Sequence, residues 1–337
     1  MPDSIPLLRA GVMDPIILRA DRMGVPTRKI LRSVGFPTLP WGEENPYQAV
    51  PLTAGMEFLE RVANMEGLPL FGMQVVIDQP LNRIRSLPLC YQGCTNLYQL
   101  LRQFMSQARL QSSMADYRLI EEGDLIWLFH RGRSSSSPRL QTDLFIVSIM
   151  IQVIRMVMGP GWLPSIIHFS ARQANAVGDS NELQSCDIRF NQQYRGIAFP
   201  RELLTRETAS GLENIVSVPG NAETLRDRSL SRQLEELLPA YLATPGFNHA
   251  KLERIIGMSF RTLQRKLQNE GQTYSDILER VRLQLSQAML RESNEKVSDI
   301  ARQLGYSNAP NFIRAFRSWT GSTPGEYRVQ REASQVS

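Results

Sequence analysis

The sequence predicts two domains of different fold class. Residues 1–218 read as α+β, with helices on one face of an antiparallel sheet. Residues 233–337 read as all-α, two helix-turn-helix units at about 249–270 and 297–319 joined by a long helix. Three observations carry this division. Before residue 218, runs with apolar residues three and four apart alternate with runs of period two, whereas beyond 232 only the helical spacing remains. Between them PGNAETLRDRSLSR, residues 219–232, is charged and poor in apolar side chains, as a linker is. The net charge of +5 is also localised: from Pro245 onward 14 Lys and Arg oppose 9 Asp and Glu, and the remainder balances at 24 of each. A polyanionic partner is therefore expected at the C-terminal domain.

The N-terminal elements follow in order. Ile16, Ile17, Ala20 and Met23 predict a helix over Pro15–Val34, split by Gly24-Val25-Pro26 because proline lacks the N–H that a continuing ladder needs. The prolines of FPTLPWGEENPYQAVP discourage regular structure up to Pro51, and helical spacing returns over Leu52–Met65. A further helix is expected over Thr95–Ala108, with Thr95 as its cap. Tyr117 and Leu119, then Leu125, Trp127 and Phe129, alternate on either side of Glu121-Glu122-Gly123-Asp124 and predict a hairpin. Ser134–Ser137 reads as a surface loop. Leu140–Met158 is a long apolar helix stopped by Gly159-Pro160-Gly161, and Ser148, Gln152 and Arg155 make it a buried helix rather than a membrane span. Short strands are expected at Ser165–Ser170, Cys186–Phe190 and Tyr194–Phe199.

In the C-terminal domain Leu230–Ala243 opens with a helix. Leu252, Ile255 and Ile256 then give a supporting helix, Gly257-Met258-Ser259 a turn and cap, and SFRTLQRKL a second helix. Its Leu263 and Leu267 face inward, while Arg261, Gln264, Arg265 and Gln268 share the opposite side, where their planar forks suit guanine and adenine edges. Tyr274–Leu290 is a connecting helix of about four to five turns. Val297, Ile300, Ala301 and Leu304 predict the next helix, Gly305 a turn, and Asn308 the cap of a last one. That helix carries a buried stripe of Phe312, Ala315, Phe316 and Trp319, and a polar face with Asn308, Asn311, Arg314, Arg317 and Ser318. Gly321 and Pro324 are expected to end the unit.

IARQLGYS followed by NFIRAFRSWTGSTPGEYR resembles the C-terminal half of the DNA-binding domain of the AraC/XylS family, without gaps. The region from about Val50, with Phe71-Gly72 and FPRELLTRE at 199–207, is similar to the arabinose-binding-type N-terminal domain of a subgroup of that family. The resemblance implies a transcriptional regulator, an activator, whose N-terminal domain senses an effector or dimerises. Binding of arabinose does not follow from it, and a regulator needing no ligand, or needing a protein partner, stays open. Double-stranded promoter DNA, RNA polymerase, a small-molecule effector and a second copy of the chain are the implied partners. The candidate DNA contacts of the first unit are Ser259, Arg261, Thr262, Gln264, Arg265, Lys266 and Gln268, with Lys266 on a phosphate. Those of the second are Asn308, Asn311 and Arg314, with Arg317 near phosphate. Two departures stand out. Glu253 occupies the place of a small alanine in the supporting helix, which is expected to loosen its packing, and Ala309-Pro310 replaces polar residues in the second unit, leaving position-holding contacts to dominate there.

Other chemistries find little support. Three cysteines form no disulfide framework, and Cys90 and Cys94 lack the second pair or histidine cluster of a zinc site. His130, His168 and Cys186 read as ordinary strand residues, and Arg28 and Arg32 as solvated cations. No P-loop, dinucleotide fingerprint or nucleophile elbow is present, so neither an enzyme nor a cofactor is expected. An excess of +5 is small for a nonspecific DNA-coating protein. The N-terminus lacks the pattern of a signal peptide, and a cytoplasmic, non-membrane protein is expected. Arg83, Arg85, Arg131 and Arg172 would suit an organic acid or amino acid effector, or simply face solvent.

Overall fold

The computed structural model describes residues 4–37, 47–77, 93–132, 139–178, 180, 182–208, 224–225 and 228–335. Two compact units result, one built from residues 6–36 and 40–227, the other from 1–5, 37–39 and 228–337. Of the linker expected over 219–232, residues 219–223 and 226–227 lie outside the described residues, as do Cys90, Arg83, Arg85 and Ser134–Ser137.

The larger unit is a mixed α/β domain. Its elements are β1 (Leu7–Arg9), a 3-10 turn (Ala10–Met13), α1 (Asp14–Arg22), α2 (Thr27–Ser33), β2 (Ala49–Pro51), α3 (Leu52–Met65), α4 (Phe71–Ile77) and α5 (Leu97–Gln111), followed by β3 (Tyr117–Glu122), β4 (Leu125–His130), α6 (Leu140–Met158), β5 (Ile166–His168), α7 (Asn175–Gly178), β6 (Asp187–Arg189) and β7 (Arg195–Pro200). Five strands form one sheet in the order β3-β4-β7-β5-β6, and β1 pairs with β2 in a separate ribbon. The expected antiparallel sheet is corrected at one edge, because β5 and β6 run parallel. Their connection passes through α7 and returns the chain in the same direction, which no hairpin can do. The ribbon strand β2 lies in the proline-rich stretch expected to be irregular, with Pro51 at its end, where no further N–H is required. The α5 cap is Asn96 rather than Thr95: the Asn96 side-chain oxygen Oδ1 accepts the Gln99 N–H at 3.0 Å, while the Thr95 N–H donates to the Gln99 side chain.

Helix α6 has the length and apolarity of a membrane span. Twelve of its 19 residues are instead buried in the domain, where it packs on α3, α4 and β7. Interior helices of this kind are apolar around most of their circumference because neighbours cover both sides.

The smaller unit is helical: α8 (Leu230–Leu237), a 3-10 turn (Leu238–Ala240), α9 (His249–Ile256), α10 (Phe260–Asn269), α11 (Tyr274–Glu292), α12 (Val297–Gln303), α13 (Ala309–Thr320) and α14 (Pro324–Gln335). Gly321 ends α13 in the left-handed conformation, but Pro324 opens α14 instead of stopping the chain. Proline suits a first helical turn, whose N–H groups have no partner in any case. Leu290, Ile300, Leu304, Phe312 and Phe316 form a buried cluster under α11–α13.

Candidate nucleic-acid interface and interior cavity

The first helix pair, α9 and α10, is set by its turn. Gly257 adopts a left-handed φ of 70° and terminates α9, after which the Ser259 hydroxyl accepts the Thr262 N–H at 3.3 Å. Glu253, expected to loosen the pair, does the reverse. Its carboxylate reaches across the turn and accepts the Phe260 N–H at 2.6 Å, so it satisfies an otherwise unpaired donor at the positive end of α10. The His249 and Phe260 rings stack at 3.8 Å, and Tyr274 meets Phe260 edge-on at 5.2 Å, which ties α9, α10 and the start of α11 together. At the far end the Glu270 carboxylate accepts the Leu230 and Ser231 N–H groups of α8.

Anchored in this way, α10 buries Leu263 and Leu267 completely. Arg261, Gln264, Arg265 and Gln268 are exposed on the opposite face, with Ser259 at its start and Thr262 and Lys266 half-buried beside it. The spacing of three, four and seven from Arg261 places the four exposed side chains along one stripe.

The second pair is built differently. Gly305, at φ 77°, lies so close to Leu242 that a Cβ would sit 2.8 Å from its carbonyl oxygen, and only glycine fits both demands. Arg282 of α11 donates from Nε to the Leu304 carbonyl and stacks over Tyr306 at 4.5 Å, fastening the turn to the connecting helix. The Asn308 side-chain oxygen Oδ1 caps α13 by accepting the Asn311 N–H at 3.0 Å. The Asn311 side chain accepts from Arg314 at 2.6 Å and donates to the Ser307 hydroxyl. These two amides thus organise the helix start, and the exposed Arg314 guanidinium is oriented by one of them. Phe312 and Phe316 are fully buried; Ala315 and Trp319, expected with them, are only half-buried. Arg317 and Ser318 are exposed.

The larger unit holds a partly open cavity of about 110 Å³. Its walls come from the turn after β1 and from α1, α3, α5 and α6, with residues such as Ile16, Leu59, Phe104, Phe145 and Ile149, while the sheet closes one side. Tyr117, His130 and Arg195 stand opposite one another on β3, β4 and β7, so the pleat turns all three side chains to the same face. The rings of Tyr117 and His130 lie 4.8 Å apart. Arg195 pairs with the fully buried Asp143 at 3.1 Å, and the Asp143 carboxylate also accepts from the Ser170 N–H, the Ser170 hydroxyl and the Ala171 N–H. Burial, assisted by the charge of Arg195, holds the His130 imidazole down to about 3, and burial pushes the Tyr117 phenol up. His168 faces the other side of the sheet against Trp127, so the two histidines do not converge. Cys94 and Cys186 are half-buried.

Residues 252–330 match the helix-turn-helix domain. Residues 24–208, more than half of the chain, match the arabinose-binding domain of AraC transcription regulators. The chain belongs to the AraC family of transcription regulators. Among AraC-type relatives, the ornithine utilization regulator of Pseudomonas aeruginosa is 33% identical over 147 residues, covering 41% of this chain and 42% of that protein. VirS of Mycobacterium tuberculosis is 28% identical over 182 residues, 53% of this chain and 54% of VirS. The chain therefore spans about half the length of the curated relatives it matches. The crystal structure of the transcriptional regulator CdpR from Pseudomonas aeruginosa aligns with 80% of this chain and 90% of its own, at 18% identity and a TM-score of 0.35.

Of the polar residues of the cavity, His130 reads in the sequence as an ordinary strand residue, and Gln111, Thr142 and Arg195 are not among the expected site residues. One signal was available for Arg195: Arg195, Ile197 and Phe199 alternate, which places an arginine on the apolar face of a strand. No comparable signal exists for Gln111 or Thr142, which read as ordinary helix residues.

Proposed function

We propose that this AraC-family chain is a sequence-specific DNA-binding transcriptional regulator, an activator acting in the bacterial cytoplasm and not an enzyme. In this reading α9–α10 and α12–α13 form two helix-turn-helix units, and α10 reads base edges with Arg261, Gln264, Arg265 and Gln268. Ser259, Thr262 and Lys266 flank that contact. Asn308, Asn311, Arg314 and Arg317 position the second unit on the backbone. The 19-residue α11 is about 28 Å long at 1.5 Å per residue, a span suited to holding two reading helices in successive major-groove segments. The domain before residue 218 senses a small-molecule effector, with the interior cavity as its site, and RNA polymerase and a second copy of the chain are the expected protein partners.

One observation carries the reading. The exposed arginine and glutamine side chains of α10 form no hydrogen bond or ion pair among the described residues, while the helix that bears them is capped at its start and doubly anchored. A rigid element presenting unengaged bidentate donors is what base recognition needs.

Footprinting of the full-length protein on DNA upstream of its own gene and neighbouring genes tests it. Two protected major-groove segments about one helical turn, roughly 34 Å, apart are expected from each bound monomer. Protection that does not distinguish these sites from unrelated competitor DNA would remove sequence-specific reading.

A further inference from the structure

On the premise that the N-terminal domain senses a small molecule, we propose that its cavity binds an uncharged amphiphile. The apolar body lies between α1, α3, α5 and α6, and a head group able both to donate and to accept hydrogen bonds meets Gln111, His130, Thr142 and Arg195.

All four polar residues line the cavity and are at least nine-tenths buried, with exposures of 4%, 7%, 5% and 9% in that order. Three of them have a buried polar atom without a hydrogen-bond partner among the described residues, Gln111 Oε1, His130 Nδ1 and Thr142 Oγ1, while Arg195 Nε faces Asp143 at 3.1 Å. Buried polar atoms are nearly always paired, and three orphaned ones on one cavity are the imprint of a missing partner. They gather where α5 and α6 meet the sheet. His130 and Arg195 are cross-strand neighbours, Thr142 precedes the Asp143 that holds Arg195, and Gln111 closes α5 just ahead of β3. The set contains an acceptor in Gln111, a donor in Arg195, and groups of either kind in Thr142 and the neutral His130. A hydroxyl or primary amide on the ligand complements all of them.

The charge state of the site selects against an anion. Arg195 is matched by Asp143, whose oxygens are further filled by Ser170 and Ala171, so the arginine–carboxylate pair is neutral before any ligand arrives. Burial also keeps His130 uncharged. A carboxylate entering here would be desolvated without a free counter-charge. A sugar is disfavoured for a different reason: its hydroxyls point in every direction, and apart from this polar patch, Ser112 and Tyr117 the cavity is walled by apolar side chains.

Thermal melting and titration calorimetry on the full-length chain, with octanamide, octan-1-ol, octanoate and L-arabinose as probes, decide the matter. Octanamide and octan-1-ol are expected to raise the melting temperature and to bind, octanoate and arabinose to do neither. Thr142→Val and Gln111→Leu each delete an orphaned polar group, so both variants are expected to melt no lower than the parent protein while binding octanamide about tenfold more weakly. A merely structural role for these groups would lower the melting point and leave binding unchanged. Tighter binding of octanoate or arabinose, or no binding by any probe, would overturn the ligand class. Footprints taken with the same probes separate this from the sensing premise. If arabinose or octanoate binds and alters the footprint, sensing stands and the neutral amphiphile falls; if octanamide binds and no probe alters the footprint, the ligand class stands and sensing falls.

Discussion

Glu253→Ala probes how the first helix pair is held. The carboxylate lies 2.6 Å from the Phe260 N–H, a charge-assisted bond to the first residue of α10. A hydrogen bond to a charged group contributes about 1.5–3 kcal/mol, and a negative charge at a helix N-terminus a further ~0.3–1 kcal/mol. Glu253 is half-buried, so water competes and the lower part of these ranges applies. Alanine recovers a few tenths of a kcal/mol through helix propensity. The net loss is therefore about 1–2 kcal/mol, confined to α9 and α10. Hydrogen exchange of the α10 amides in the full-length chain reads it directly: protection is expected to fall roughly five- to thirtyfold at Leu263 and Gln264, the factor that about 1–2 kcal/mol represents. Glu253→Gln keeps an acceptor without the charge and should fall between the two. Equal or greater protection in the alanine variant would refute the reasoning, since it would mean that the pair prefers a small residue at 253 and that the bond contributes nothing net.

Arg261→Ala and Arg265→Ala should each cost about 1–3 kcal/mol in operator binding and relax preference at particular bases, read by competition among single-base operator variants; unchanged discrimination in both would remove them from a reading role. Arg317→Ala should weaken binding to all sequences alike and reduce the slope of log affinity against log salt by about 0.9, whereas an altered base preference would contradict its phosphate assignment. Gly305→Ala combines a left-handed φ with a Cβ 2.8 Å from the Leu242 carbonyl oxygen, and a loss of about 1–3 kcal/mol is expected in urea denaturation of the C-terminal unit; a neutral result would mean that the turn relaxes freely. Asp143→Ala leaves Arg195 buried without its counter-charge and should cost about 3–5 kcal/mol, most of which Arg195→Leu in the same chain should restore; if the single variant is near neutral, the pair is not a structural element.

Elements with their own period were legible from the sequence. Leu52–Met65 and Leu140–Met158 form helices with the expected ends, and the hairpin on either side of Gly123 is found where alternation and a turn residue coincide. The C-terminal helices and their glycine turns were legible for the same reason, since each depends on residues within one or two turns of itself. What escaped the reading depends on distant partners. The Tyr117, His130 and Arg195 row exists only because β4 pairs with β3 on one side and with β7 on the other. The strand β2 forms in a proline-rich stretch because β1, some forty residues earlier, supplies its ladder. The part played by Glu253 is not legible in α9 alone, because it depends on the reach of its carboxylate to the Phe260 N–H seven residues on.

The place of β7 in the sheet bears on how the domain is made. Among the described residues it is the last strand in sequence and the middle one in the order β3-β4-β7-β5-β6, so until it arrives the hairpin and the β5–β6 pair are separate ribbons with bare edges. Helix α6, apolar on most sides, is synthesised some forty residues before the strand that completes the floor beneath it. A ribosome must therefore pass Pro200 before this domain can close, and a fragment cut any earlier exposes both unpaired strand edges and the long apolar helix α6. Long-range closure of this kind makes folding slow and places the aggregation hazard in the nascent chain, while the finished domain is protected by the strand that came last.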